Sequence, residues 1–236
     1  MCIVQLRQLC DRKAMMTATM IGPDLLAMRT AMVASQLRPN AVDDMRVVAA
    51  MARVPRERFL PEAARAVAYR DTTIPLGRGR SANMPMVVGR LLTDADLTPG
   101  DRVLLIGAAG GYTAAVLGEL VSLVVAVEQD AALVALARDA LDGLANIELV
   151  EGPLADGYPA GAPYDVLIVD GAAEHLPDAL VDQVRPGGRI VAGVIDRGVT
   201  RLAAGRRGAT GYGLLPFADA ECVLLPGFER PRGFRF

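Results

Sequence analysis

The stretch VLLIGAAGGYTAAVL, Val103–Leu117, decides how this chain folds. Four apolar residues run into a cluster of small ones, Gly107 to Gly111, and an alanine-rich segment follows. A short apolar run bounded by a turn signal reads as a buried strand, and the segment after the turn as a helix. Strand, glycine turn and helix in succession form the opening of many nucleotide-type cofactor sites. The glycines at 107, 110 and 111 give a GxxGG spacing, with Ala109 where GxGxG would have its middle glycine. Gly107 permits a tight turn and close approach of backbone to a ligand. The competing reading is that the small residues only pack helix against strand.

Downstream the same alternation repeats. LVVAVE (123–128), NIELVEG (146–152), YDVLIVDG (164–171) and GGRIVAGV (187–194) read as strands. AALVALARDAL (131–141) and PDALVDQV (177–184) read as helices, and GYGLLPFADAECVLLPGF (211–228) supplies one or two closing strands. Strands apolar on both faces, alternating with helices, imply a doubly wound, mostly parallel α/β sheet. Upstream lies a helical segment. MRTAMVASQLR (28–38) is a helix stopped by Pro39; VDDMRVVAAMARV (42–54) is a second, capped by Asp43 or Asp44; PEAARAVAY (61–69) is a short third. DTTIPLGRGRSANMP (71–85) reads as a loop or a pair of short strands, and MVVGRLLTDADL (86–97) as a helix. The expected division is an N-terminal extension (1–27), a helical segment with a long polar loop (28–98) and an α/β core (99–236). Residues 28–236 are expected to form one integrated domain.

Ligands of open α/β sheets bind beyond the carboxyl ends of the strands. That rule selects Ile106, Gly107, Ala108, Ala109 and Gly111 at the first strand end. It also selects Glu128 at the second, twenty-one residues after Gly107. A carboxylate at that spacing can accept both hydroxyls of a ribose. Dinucleotide enzymes and adenosyl-methionine enzymes share this arrangement, and the missing middle glycine weighs more against a pyrophosphate. The turn Gly152-Pro153-Leu154 lies where an adenine could rest, and Asp170, ending the fourth strand, could orient a substrate or cofactor amine. His175 follows, but no nucleophile motif accompanies it, and GxSxG and the P-loop pattern are absent.

With 25 Lys and Arg against 27 Asp and Glu, the formal charge is -2, which argues against a phosphate-driven nucleic-acid binder. Three cysteines without CxxC and a single histidine argue against a zinc site and fit a reduced, cytoplasmic setting. The longest uncharged apolar region, 103–118, is too short and glycine-rich to span a bilayer.

Three stretches resemble the protein-L-isoaspartate O-methyltransferase family: DDMRVVAAMARVPRERFLPEAARAVAYRD, DRVLLIGAAGGYTAAVL and APYDVLIVDGAAEHLPDALVDQVRPGGRIV. The similarity covers roughly residues 28–228. It implies S-adenosyl-L-methionine as cofactor, a damaged protein or peptide as substrate, methyl transfer to an isoaspartyl carboxylate, and a monomer. The family's substrate loop, GQTIS followed by Gln-Pro, stands here as Gly79-Arg80-Ser81-Ala82-Asn83-Met84-Pro85. Ser81 keeps a hydroxyl, Asn83 replaces the serine expected at the reacting carboxylate, and Met84 replaces the glutamine. Asn83 can still donate an N–H, and Arg78 or Arg80 can attract a carboxylate. Leu105 stands where the family usually has an acid, and Gly152-Pro153-Leu154 where it has Gly-Asp-Gly. These departures leave two alternatives beside the family's reaction: a methyltransferase with another acceptor, and a non-catalytic protein that keeps the fold for interaction or regulation.

Overall fold

The computed structural model describes residues 24–230. The proposed extension falls almost wholly outside them. The chain opens with helix α1 (Leu25–Met32), capped by the Asp24 side chain, which accepts from the Ala27 N–H. A single π-helical turn (Val33–Leu37) and a 3-10 turn (Arg38–Asn40) follow. The regular helix expected to run to Pro39 therefore changes its winding at Val33, and Pro39 sits inside the 3-10 turn. Helix α2 (Met45–Arg53) begins at Asp44, whose side chain accepts from the Arg46 N–H. The segment 61–69, read as a third helix, is a 3-10 turn at Glu62–Val67, and another 3-10 turn at Arg56–Phe59 precedes it. Strands β1 (Ile74–Gly77) and β2 (Arg80–Ala82) form a small antiparallel hairpin, and helix α3 (Pro85–Asp94) follows.

The main sheet then builds as β3 (Arg102–Ile106), α4 (Tyr112–Gly118), β4 (Leu123–Glu128), α5 (Ala131–Leu141) and β5 (Ile147–Glu151). It continues as β6 (Tyr164–Ala173), α6 (Asp178–Val181), β7 (Val184–Asp196), β8 (Val199–Arg207) and β9 (Tyr212–Asp219). The strand order is β5-β4-β3-β6-β7-β8-β9, parallel from β5 through β7 and antiparallel across β8 and β9.

Two further features, both in the sheet region, depart from the sequence reading. Helix α6 spans only four residues, because Val184 already pairs with Tyr164 at the start of β7. Strand β8 was not anticipated. It leaves β7 by a two-residue turn at Arg197 (φ 50°) and Gly198 (φ 82°), closing on the pair Asp196 and Val199. Consecutive positive φ angles are the mark of the tight hairpin turns that match strand twist.

Alternate residues of β3 and β6 enter opposite cores, as the period of two requires. Val103, Leu105, Val166 and Ile168 pack with the N-terminal helices, α3 and α4. Leu104, Ile106, Leu167 and Val169 pack with Leu154, Leu180 and Phe228 on the other face. Burying such side chains stabilises by about 1.5–3 kcal/mol each, before the entropy of ordering them. Among the described residues no helix is long and apolar enough to cross a membrane.

Candidate functional site: a crevice filled by its own side chains

Strand order reverses between the parallel neighbours β3 and β6: the path runs outward through β4 and β5, then returns to β6. Open α/β sheets place their ligand crevice at that switch point. Residues 107–111 leave β3 there, and the N–H groups of Gly107 and Ala108 donate to the Val127 carbonyl at 3.0 and 3.1 Å. Ala109 takes a left-handed conformation, φ 49°, which a glycine would adopt without the roughly 1–2 kcal/mol penalty of a Cβ. Its N–H donates to Glu128 Oε2 at 2.8 Å.

Glu128 ends β4 and has no solvent exposure. Its Oε1 accepts from the N–H groups of Gln129 (2.9 Å) and Asp130 (3.1 Å). Its Oε2 also accepts from Arg80 Nη2 at 2.8 Å. Three backbone donors and one guanidinium thus engage a carboxylate with about four acceptor directions. Arg80 Nη1 is buried beside it with no partner.

Asp170 lies near the end of β6. Its oxygens accept from Asn83 Nδ2 at 2.7 Å and Thr113 Oγ1 at 2.5 Å. Burial pushes its carboxyl above the usual carboxylate range, against these bonds and the positive charges of Arg56 and Arg80. Asn83 Oδ1 accepts from the Val223 N–H at 2.9 Å. Arg56, buried, donates from Nε to the Ala68 carbonyl at 2.9 Å, and its Nη2 to the Asn83 carbonyl. Its guanidinium lies 4.8 Å over the Tyr112 ring, and burial pushes the Tyr112 hydroxyl up to about 12. Two arginines and two carboxylates are therefore buried together, so charge balances locally, as burial of ions requires.

The C-terminal segment closes the crevice. Val223 accepts from the Ala172 N–H at 2.7 Å, and the Leu225 N–H donates to the Ala172 carbonyl at 3.1 Å. Leu225 packs onto the two glycines of the crevice: a Cβ on Gly107 would stand 3.1 Å from Leu225 Cδ2, and one on Gly171 2.5 Å from Leu225 Cγ. What remains is a chamber of about 20 Å³, walled by Ser81, Asn83, Gly107, Ala109, Thr113 and Asp170 among others. Small-molecule sites generally run to about 300–1,000 Å³. Outside lies an open groove of about 390 Å³ bordered by Arg78, Gly79, Arg80, Gln129, Leu225 and Glu229.

Ser81, Asn83, Gly107, Ala108, Ala109 and Asp170 thus share one chamber. Arg80 and Glu128 meet at its side, and Arg78 borders the outer groove. Other residues expected at the site lie elsewhere. Ile106 and Leu154 are core residues of the far face. Gly111 packs against α5, where a Cβ would meet Leu141 Cδ1 at 3.1 Å; Gly110 packs under the Phe59 carbonyl, 2.0 Å from the same construction. Gly110 also lines the chamber, whereas Gly111 does not. Met84 packs against the core beside the start of α3. Pro153 is exposed, while the Gly152 N–H donates to the Glu128 carbonyl at 3.0 Å and draws that turn to the strand tip. Leu105 is fully buried in the apolar core. Sequence reasoning missed Arg56, Thr113 and Leu225. The apolar run Val223–Leu225 after the last strand was the one available signal.

Comparison with known proteins follows the same lines. The family model described as Protein-L-isoaspartate(D-aspartate) O-methyltransferase matches residues 28–212. Protein-L-isoaspartate O-methyltransferase 1 of Rhodopseudomonas palustris is 41% identical over 179 residues, covering 75% of this chain and 73% of the relative. The Herpetosiphon aurantiacus protein-L-isoaspartate O-methyltransferase is 42% identical over 201 residues, 84% of this chain and 90% of the relative. A solved protein-L-isoaspartate O-methyltransferase superposes with a TM-score of 0.73 at 23% identity, over 84% of this chain and 66% of that one. A Plasmodium falciparum structure, described as a protein of this family in complex with S-adenosyl-L-homocysteine, gives 0.69 at 18% identity, over 84% and 97%. The structures share the fold; the sequence matches carry the relationship. The chain belongs to the protein-L-isoaspartate O-methyltransferase family of class I S-adenosyl-L-methionine-dependent methyltransferases.

Proposed function

We propose that this chain is an S-adenosyl-L-methionine-dependent methyltransferase acting on a carboxylate of damaged aspartyl residues in proteins or peptides. The observation that carries this reading is Glu128: a buried carboxylate pinned by three backbone N–H groups beside the residue 107–109 loop, at the sheet's switch point. The chemistry of these residues fits the cofactor. Glu128 would accept from one ribose hydroxyl in the direction that Arg80 now fills, and the bare backbone at Gly107 would allow close approach. The space does not fit until Arg80 and Leu225 shift. When bound, the cofactor would supply a methyl group on a sulfonium centre that departs readily.

The chain's own task is then alignment. An acceptor carboxylate is ionised near neutral pH, so no strong general base is needed. Ser81 offers a hydroxyl at the chamber wall. Asn83 has a second amide N–H beyond the one bonded to Asp170, and in this reading it orients the acceptor. Asp170, held by Asn83 and Thr113, positions Asn83 rather than meeting an amine. Arg78 faces the groove through which a peptide would approach.

The chamber of about 20 Å³ favours a second reading, a fold kept without catalysis for interaction or regulation. Titration calorimetry with S-adenosyl-L-methionine separates the two. Saturable heat at micromolar to millimolar cofactor is expected, and a flat titration at several millimolar leaves only the second reading.

A further inference from the structure

The ion pair between Arg80 and Glu128 stands at the boundary of two spaces. Ala109, which donates to Glu128 Oε2, walls the inner chamber; Arg80, which donates to the same oxygen, borders the outer groove. Three of the four bonds to Glu128 come from backbone fixed by the strand ends and the loop. The fourth comes from a side chain on a three-residue strand of a separate two-stranded hairpin. The turn of that hairpin has positive φ at Gly77 (94°), Arg78 (51°) and Gly79 (74°), and no atom approaches within 4 Å of a Cβ built on either glycine. Arg80 is therefore the removable partner. If it withdraws, Glu128 keeps its orientation through the three N–H groups and turns one acceptor direction to the groove.

The geometry points to Arg80 as a gate: its guanidinium competes with any ligand hydroxyl for Glu128, and its withdrawal joins the groove to the chamber. The gate is incomplete as a bond network, since Nη1 is buried without a partner. A closed state that leaves one donor unsatisfied is held less firmly than a bidentate pair. Arg80 thus sets cofactor affinity without serving as a ligand to it. The inference rests on the cofactor reading above and makes a distinct claim about this chain's own arginine.

The test is calorimetric titration of S-adenosyl-L-homocysteine into the full chain and its Arg80→Gln variant, with thermal melts to verify folding. The gate predicts that Arg80→Gln binds at least about tenfold more tightly, about 1.4 kcal/mol. Binding by the variant alone supports the gate and leaves the natural chain to the non-catalytic reading. Arg80→Lys, which keeps the charge but loses the planar fork, is expected to fall between the two; it decides the matter by the same comparison if Arg80→Gln does not fold. Equal or weaker binding by the variant, with measurable binding by the natural chain, overturns the gate and leaves the cofactor reading standing. No binding by any of the three proteins at several millimolar overturns both.

Discussion

Asn83 ties three parts of the molecule to one point. Its amide N–H holds Asp170 on β6, its side-chain oxygen holds the backbone of Val223, and its carbonyl takes the Arg56 guanidinium. Asn83→Ala leaves a buried carboxylate short of a donor and a backbone N–H without an acceptor, so a loss of about 1–3 kcal/mol is expected in denaturant titration. The same change should loosen the C-terminal segment. Cys222 reports on it: burial, with the charges of Asp170 and Glu221, pushes its thiol up to about 12, so little reactive thiolate exists near pH 8. Peptide-mapped alkylation should proceed faster at Cys222 in Asn83→Ala than in the natural chain. Equal rates would show that Asn83 does not hold the segment. Asn83, Ser81 and Glu128 were legible as candidates because polar groups at strand ends and in glycine-bounded loops have few structural duties. Arg56 was not, because a fully buried arginine is recognisable only from carbonyls at distant positions in the chain.

At the scale of elements, caps and glycines do most of the placing. Asp44 caps α2, and its carboxyl lies below the usual range chiefly through the hydrogen bond from the Arg46 side chain, against the effect of burial. A folded value below the unfolded one, about 3.9, gives stability present above that pH and lost as pH falls through the folded value. Asp44→Ala should cost about 1 kcal/mol at pH 7, with a gap that narrows below about pH 4 in melts across the acid range. A gap independent of pH would remove the charge from the explanation.

Glycines divide into two classes. A Cβ on Gly205 would stand 1.7 Å from the Gly213 carbonyl oxygen of the adjacent strand, so Gly205→Ala must part β8 from β9 and should cost at least about 2 kcal/mol. Gly79→Ala meets nothing within 4 Å and carries only the strain of a φ of 74°, about 1–2 kcal/mol. Similar thermal shifts for the two would contradict this assignment. The buried parallel strands were legible from continuous apolar runs. Strand β8 was not, because VTRLAAGRR carries five small or apolar residues among three arginines and only the Arg197-Gly198 turn announces it.

At the scale of the whole molecule, two cores meet along a sheet whose carboxyl ends, with the β1–β2 hairpin bonded to them, carry the candidate chemistry. The alternation of strands and helices carried that architecture in full view. The state of the crevice was not legible, since it depends on Arg80 and Leu225 reaching across from segments 48 and 97 residues away from Glu128. The central claim is methyl transfer to a protein carboxylate, and its most direct test is transfer of labelled methyl from S-adenosyl-L-methionine to a synthetic isoaspartyl peptide, beside the same peptide with ordinary aspartate. The account predicts a base-labile methyl ester on the isoaspartyl peptide and none on its twin. Absence of label from both peptides, at millimolar cofactor and high protein concentration, would contradict it.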